Sequence, residues 1–134
     1  MNNSSENTIT DVGLKFPFST CCYNEPKVFI MSYNDACQSE FIKNILEMTY
    51  DDYEPQLHEP EGYYEIVIPR NLYKFTRFHE IQHLIDLWTG RSNFHNHHRQ
   101  MYNFKDIARI SQSLLLSENL EFVKILEKEY PPSL

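Results

Sequence analysis

At 134 residues, 41% of them apolar and 14% aromatic, the chain can bury one packed core and is too apolar for a disordered protein. Three glycines exclude a long glycine-rich phosphate loop, and a net charge of −7 argues against general nucleic-acid binding. The charge is uneven: residues 70–109 hold 7 bases, 3 acids and five of the six histidines, so candidate chemistry concentrates there.

Residues 1–12 are rich in Asn, Ser and Thr and are expected to form a flexible arm, leaving 13–134 as one domain. No charged-then-apolar leader and no run of about 18 apolar residues is visible, so neither secretion nor a membrane span is expected. Cys21, Cys22 and Cys37 are odd in number and lack framework spacing. They read as reduced thiols of a cytoplasmic protein.

The apolar run Lys27 to Tyr33, bounded by Pro26 and Asn34, predicts a strand. Asn34 or Asp35 can cap a helix in which Phe41, Ile42, Ile45, Leu46 and Tyr50 recur at helical spacing. Asp51 to Gly62 is acidic, contains two prolines and reads as a loop. Tyr64 to Pro69 predicts a second strand, stopped by Pro69. A helix over 72–89 follows, capped by Asn71 and closed at Gly90, with Phe75, Phe78, Ile81, Ile85 and Trp88 down one side. His79, His83 and Asp86 form a neighbouring stripe with Leu72, the pattern of a central helix facing a cleft. After the polar, histidine-rich loop Arg91 to Met101, helices are expected over 103–117 and 120–130, the last stopped by Pro131 and Pro132.

His79-Glu80-Ile81-Gln82-His83 is an H-E-x-x-H sequence on that central helix. Imidazoles four residues apart project together and can bind Zn²⁺ at about 2.0–2.1 Å, with a third ligand and an open position for water. Glu80 would then take that water's proton as general base and pass it to the leaving amine. Third-ligand candidates include Asp106, the loop residues His95, His97 and His98, and Glu118 or Glu121, while Asp86 suits orientation of an imidazole. The same residues also allow a structural reading. His79 and His83 would be core histidines partnered by carboxylates such as Asp86, with Glu80 the ion-pair partner of Arg77. Tyr102 is a candidate oxyanion donor, Cys37 a candidate thiol nucleophile, and Arg70, Lys74 and Arg77 a basic edge.

The stretch IVIPRNLYKFTRFHEIQHLI resembles the ImmA/IrrE family of small zinc metallopeptidases, in which a strand, an Asn-containing turn and an H-E-x-x-H helix follow one another. Asp106 to Leu115 resembles the family's next helix, with Asp106 standing where the family's third ligand is Glu. The resemblance covers residues 63–117. It implies an α+β zincin-like domain, with a small sheet containing residues 27–33 and 64–69 packed on three or four helices. It further implies Zn²⁺ held by His79, His83 and Asp106, with Glu80 as base, and a protein substrate such as a transcriptional regulator. The acidic composition supports a second expectation from another class: a non-enzymatic interaction or inhibitor protein of a virus or mobile element that occupies a host protein.

Overall fold

In the computed structural model, residues 11–18, 27–47, 56–58, 62–93 and 102–131 are described. The fold is α+β, as expected. Strands β1 (Asp11–Phe16), β2 (Lys27–Ser32), β3 (Gln56–His58) and β4 (Tyr63–Val67) form one sheet in the order β2-β1-β4-β3. β1 pairs antiparallel with β2 and parallel with β4, and β3 pairs antiparallel with β4. Helices α1 (Tyr33–Ala36), α2 (Glu40–Glu47), α3 (Phe78–Trp88), α4 (Phe104–Ser113) and α5 (Glu121–Glu129) complete the chain, with a 3₁₀ turn at Arg70–Leu72. Among the described residues, no helix is long and apolar enough to cross a membrane.

β1 organises the sheet. Val12, Leu14 and Phe16 alternate with Asp11, Gly13 and Lys15, and all three are fully buried, so one face of the strand enters the core. Two residues expected in the N-terminal arm, Asp11 and Val12, therefore belong to the domain, while residues 1–10 lie outside the described part. Gly13 faces the other way, where Tyr63 and Val28 lean over it from the two flanking strands. A Cβ there would come within 2.8 Å of both side chains.

The two expected strands occur as β2 and β4. β3 arises inside the stretch read as an acidic loop, because its backbone completes the edge of β4. The helix expected over 72–89 is shorter. Its apolar spacing is continuous, but the chain makes a 3₁₀ turn at Arg70–Leu72 and a further turn at Tyr73–Thr76 before α3 starts, and Arg77 rather than Asn71 is the N-cap. Ile81, Leu84, Ile85 and Trp88 of α3 are buried, which makes it the central helix. α3 packs on α4, and α4 on α5.

Helix ends account for two details that position the surface. At the end of α3, the Arg91 N–H donates to the Asp86 carbonyl at 2.8 Å and the Gly90 N–H to Leu87 at 3.3 Å, with Gly90 at φ 78°. At the end of α4 the same pattern recurs: Leu116 N–H to Ser111 at 3.1 Å and Leu115 N–H to Gln112 at 3.0 Å. Both are Schellman closures, whose left-handed position is normally glycine. In α4 it is leucine, at φ 55°. The geometry is held because the free carbonyls of α4 meet the free N–H groups of α2. Glu40 N–H donates to Leu115 at 3.0 Å, Ile42 N–H to Ser39 Oγ at 3.0 Å, and Ser39 Oγ–H to Leu114 at 2.6 Å. Ser39, not Asn34 or Asp35, thus starts α2, while Ser32 caps the one-turn α1.

Gly13→Ala is expected to lower unfolding stability by about 1–3 kcal/mol, because Tyr63 and Val28 must both shift. A urea titration that leaves the midpoint unchanged would contradict this packing of the central strand.

Candidate functional site

The H-E-x-x-H residues fall in the first two turns of α3. Glu80 stands three residues after the N-cap Arg77, where a carboxylate complements the helix dipole and can reach back over the helix start. It does so with both oxygens. Arg77 Nε donates to Oε1 at 3.0 Å and Arg77 Nη2 to Oε2 at 2.6 Å, a bidentate pair. Oε2 also accepts the Asn103 N–H at 3.1 Å. Glu80 is 0% exposed. Burial alone would push its carboxyl up, but the Arg77 hydrogen bonds, the Asn103 N–H, the Arg77 charge and His79 together hold it below the usual value.

Asn103 is itself the N-cap of α4, its side chain accepting the Asp106 N–H at 3.3 Å. One carboxylate therefore fastens the first turn of α3 to the first residue of α4. The preceding residue adds a second fastening. The Tyr102 ring stacks on His83 at 3.9 Å between centroids and 4° between planes, and on His79 at 4.5 Å and 20°. Phe104 meets the His83 ring edge-on. His83 is 8% exposed, and its imidazole is pushed below the usual 6.5, by burial first and by His79, against the opposing pull of Asp86.

The imidazoles thus do share one side of α3, as the spacing predicts, and Tyr102 stacks on both, with His79 still exposed. Asp106 lies at the start of α4, where Oδ1 accepts from Arg109 Nη1 at 2.8 Å. Asp86 accepts from Gln82 Nε2 at 3.3 Å. Glu118 lies beside Glu127 of α5. Among the described residues, no three His, Cys, Asp or Glu side chains are grouped to hold a metal ion, and His95, His97 and His98 lie outside those residues. In this arrangement Glu80 is engaged by a guanidinium. The Cys37 thiol is pushed up, by burial first, and its hydrogen-bond partner is the Tyr33 hydroxyl rather than a histidine.

The Arg77–Glu80 pair was legible as an i,i+3 spacing. The Asn103 N–H was not, because nothing local shows which backbone donor folds back from 23 residues away. Comparison with protein-family models, with curated proteins and with solved structures finds no match.

Glu80→Ala removes the acceptor of the Asn103 N–H, and is expected to cost about 1–3 kcal/mol of stability in chelator-treated buffer. The acid dependence should have two parts. His83, depressed in the fold, contributes stability that is complete above its unfolded value near 6.5 and falls away as pH drops toward its folded value. The Glu80 contribution is complete above about 4.5 and is lost as pH falls through its lowered folded value. Urea midpoints measured from pH 7 down to 3 should show the upper part removed by His83→Gln and the lower part by Glu80→Gln.

Proposed function

We propose that this chain is a non-enzymatic protein-binding module that holds an amphipathic segment of another protein in the groove between α4 and α5. The observation that carries this reading is Leu115. It occupies the left-handed position of the α4 closure at φ 55°, where a side chain costs about 1–2 kcal/mol, and it is 55% exposed. A large apolar residue kept at a strained and wet position has no rationale inside the fold. It does have one at a binding surface. Leu115 lines a cavity of about 250 Å³ whose walls include Ala108, Leu116, Val123 and Leu126, with Glu127 at the edge.

The occupant's chemistry follows from that edge. The Glu127 carboxyl is pushed up, by burial first and then by the neighbouring Glu118 carboxyl. A Lys or Arg placed there would relieve the repulsion between the two carboxylates. The segment that fits therefore carries an apolar side chain for the groove and a cation for the two carboxylates. In this reading the chain is the expected acidic interaction protein of a virus or mobile element, and the segment belongs to a host protein. It also gives the H-E-x-x-H stripe a structural role: Glu80, His79 and His83 fix Tyr102 and Asn103, and so set where α4 begins.

One observation favours the zinc-peptidase reading as a second proposal. His79 and His83 stack on the same ring and so lie on one side of α3, as a ligand pair must. In that reading His79, His83 and Asp106 would hold Zn²⁺, Glu80 would leave Arg77 to act as base, and the substrate would be a transcriptional regulator or similar protein. Zinc analysis after purification without chelators separates the two. The binding-module reading predicts far less than one zinc per chain; one zinc per chain, with cleavage abolished by Glu80→Gln, would replace it.

The groove is tested with a fluorescein-labelled peptide of Leu and Lys at helical spacing. Leu115→Gly should raise unfolding stability by about 1 kcal/mol while weakening peptide binding about tenfold, and Glu127→Lys should weaken binding without the gain in stability. Unchanged peptide affinity in Leu115→Gly would sink the proposal.

A further inference from the structure

We propose that the turn Tyr73–Thr76 is a second docking point, whose Phe75 ring enters an apolar, carboxylate-rimmed pocket on another protein. Apolar spacing across residues 72–89 would put Phe75 on the same side as Phe78 and Ile81 in a continuous helix. The chain breaks the helix instead, and Phe75 emerges 68% exposed, the most exposed large apolar side chain among the described residues. An aromatic ring removed from the available core face can serve as an anchor for a partner.

The turn is built to present it. Thr76 N–H donates to the Tyr73 carbonyl at 2.9 Å, closing a four-residue turn with Lys74 and Phe75 at the tip. Tyr73 and Thr76, on either side, are buried. The Tyr73 hydroxyl donates to the Pro17 carbonyl, and its ring meets Phe16 and Phe18 edge-on. The tip is therefore held from beneath, so little ordering remains to be done on association.

The charge around the ring selects the pocket. The Lys74 ammonium lies 5.1 Å from the Phe75 centroid, the Arg70 guanidinium 4.7 Å from that of Tyr73, and residues 66–79 contain no Asp or Glu. An aromatic anchor with an ammonium over its ring and a guanidinium over the neighbouring Tyr73 ring complements an apolar pocket with acidic edges. A bilayer or a nucleic acid presents an extended field of negative charge, which a chain of net −7 opposes as a whole, whereas a pocket meets the tip alone. This point lies on different elements from the α4–α5 groove and stands independently of it.

Binding is read by fluorescence anisotropy with a labelled helical-hairpin peptide of Leu and Glu, whose paired helices present an apolar cleft with acidic rims, alongside phosphatidylserine vesicles and a poly(U) oligonucleotide. The wild-type chain is expected to bind the Leu–Glu peptide in preference to both. Phe75→Ala and Lys74→Glu should each weaken that binding about tenfold, with unchanged circular dichroism and urea midpoint. Leu115→Gly should leave it unaltered, which separates this site from the groove. No binding by the wild-type chain, equal affinity in Phe75→Ala, or tighter binding to vesicles or oligonucleotide would each overturn the proposal.

Discussion

The arrangement of the helices rests on a buried carboxylate. Glu80 is wholly inside, and a charge in that position persists only where its partners are supplied in full. Arg77 supplies two donors from the same helix and Asn103 supplies a third from the start of the next. Because Asn103 also caps α4, the position of α4 is set by the first turn of α3. From α4 the constraint passes on through its C-terminal carbonyls, which satisfy the N–H groups of α2, and through its packing with α5.

The same residues that spell a zinc-hydrolase sequence therefore have a sufficient physical occupation without a metal. Glu80 forms charge-assisted hydrogen bonds, His79 and His83 make a bed for Tyr102, and Asp106 pairs with Arg109. Two positions elsewhere break local rules, Leu115 with a side chain in a left-handed conformation and Phe75 in water. Departures of this kind are expected where binding, rather than stability, selects the residue. They lie on separate elements and carry opposite electrostatic surroundings, acidic at Glu118 and Glu127 and basic at Arg70 and Lys74.

Much of the fold was legible where periodicity was strong. The apolar runs gave β2 and β4, the 3.6-residue spacing gave α4 and α5 within a few residues, and Gly90 marked the end of α3 through its required backbone angle. β1 was not recognised, because its alternation is interrupted by Gly13 and begins inside a polar segment. β3 was hidden by acidic neighbours, since a three-residue edge strand draws its order from β4 rather than from its own sequence. The start of α3 was misplaced because apolar spacing ran unbroken through a turn fixed by tertiary contacts of Tyr73 with Pro17 and Phe18. At the site, the local Arg77–Glu80 pairing could be read from spacing, whereas the Tyr102 stack and the Asn103 hydrogen bond depend on a return of the chain that no spacing records. The strained Leu115 was invisible, because leucine gives no signal of a positive φ.

The claim that Glu80 is a structural link rather than a general base is tested most directly by a double-mutant cycle on unfolding, with Arg77→Met and Glu80→Gln alone and together, in chelator-treated buffer. A structural link predicts strong non-additivity: once either partner is gone, removing the other should cost much less than it does alone. Independent, additive effects, or a Glu80→Gln protein as stable as the wild type, would contradict it and return Glu80 to the role of a residue kept for chemistry.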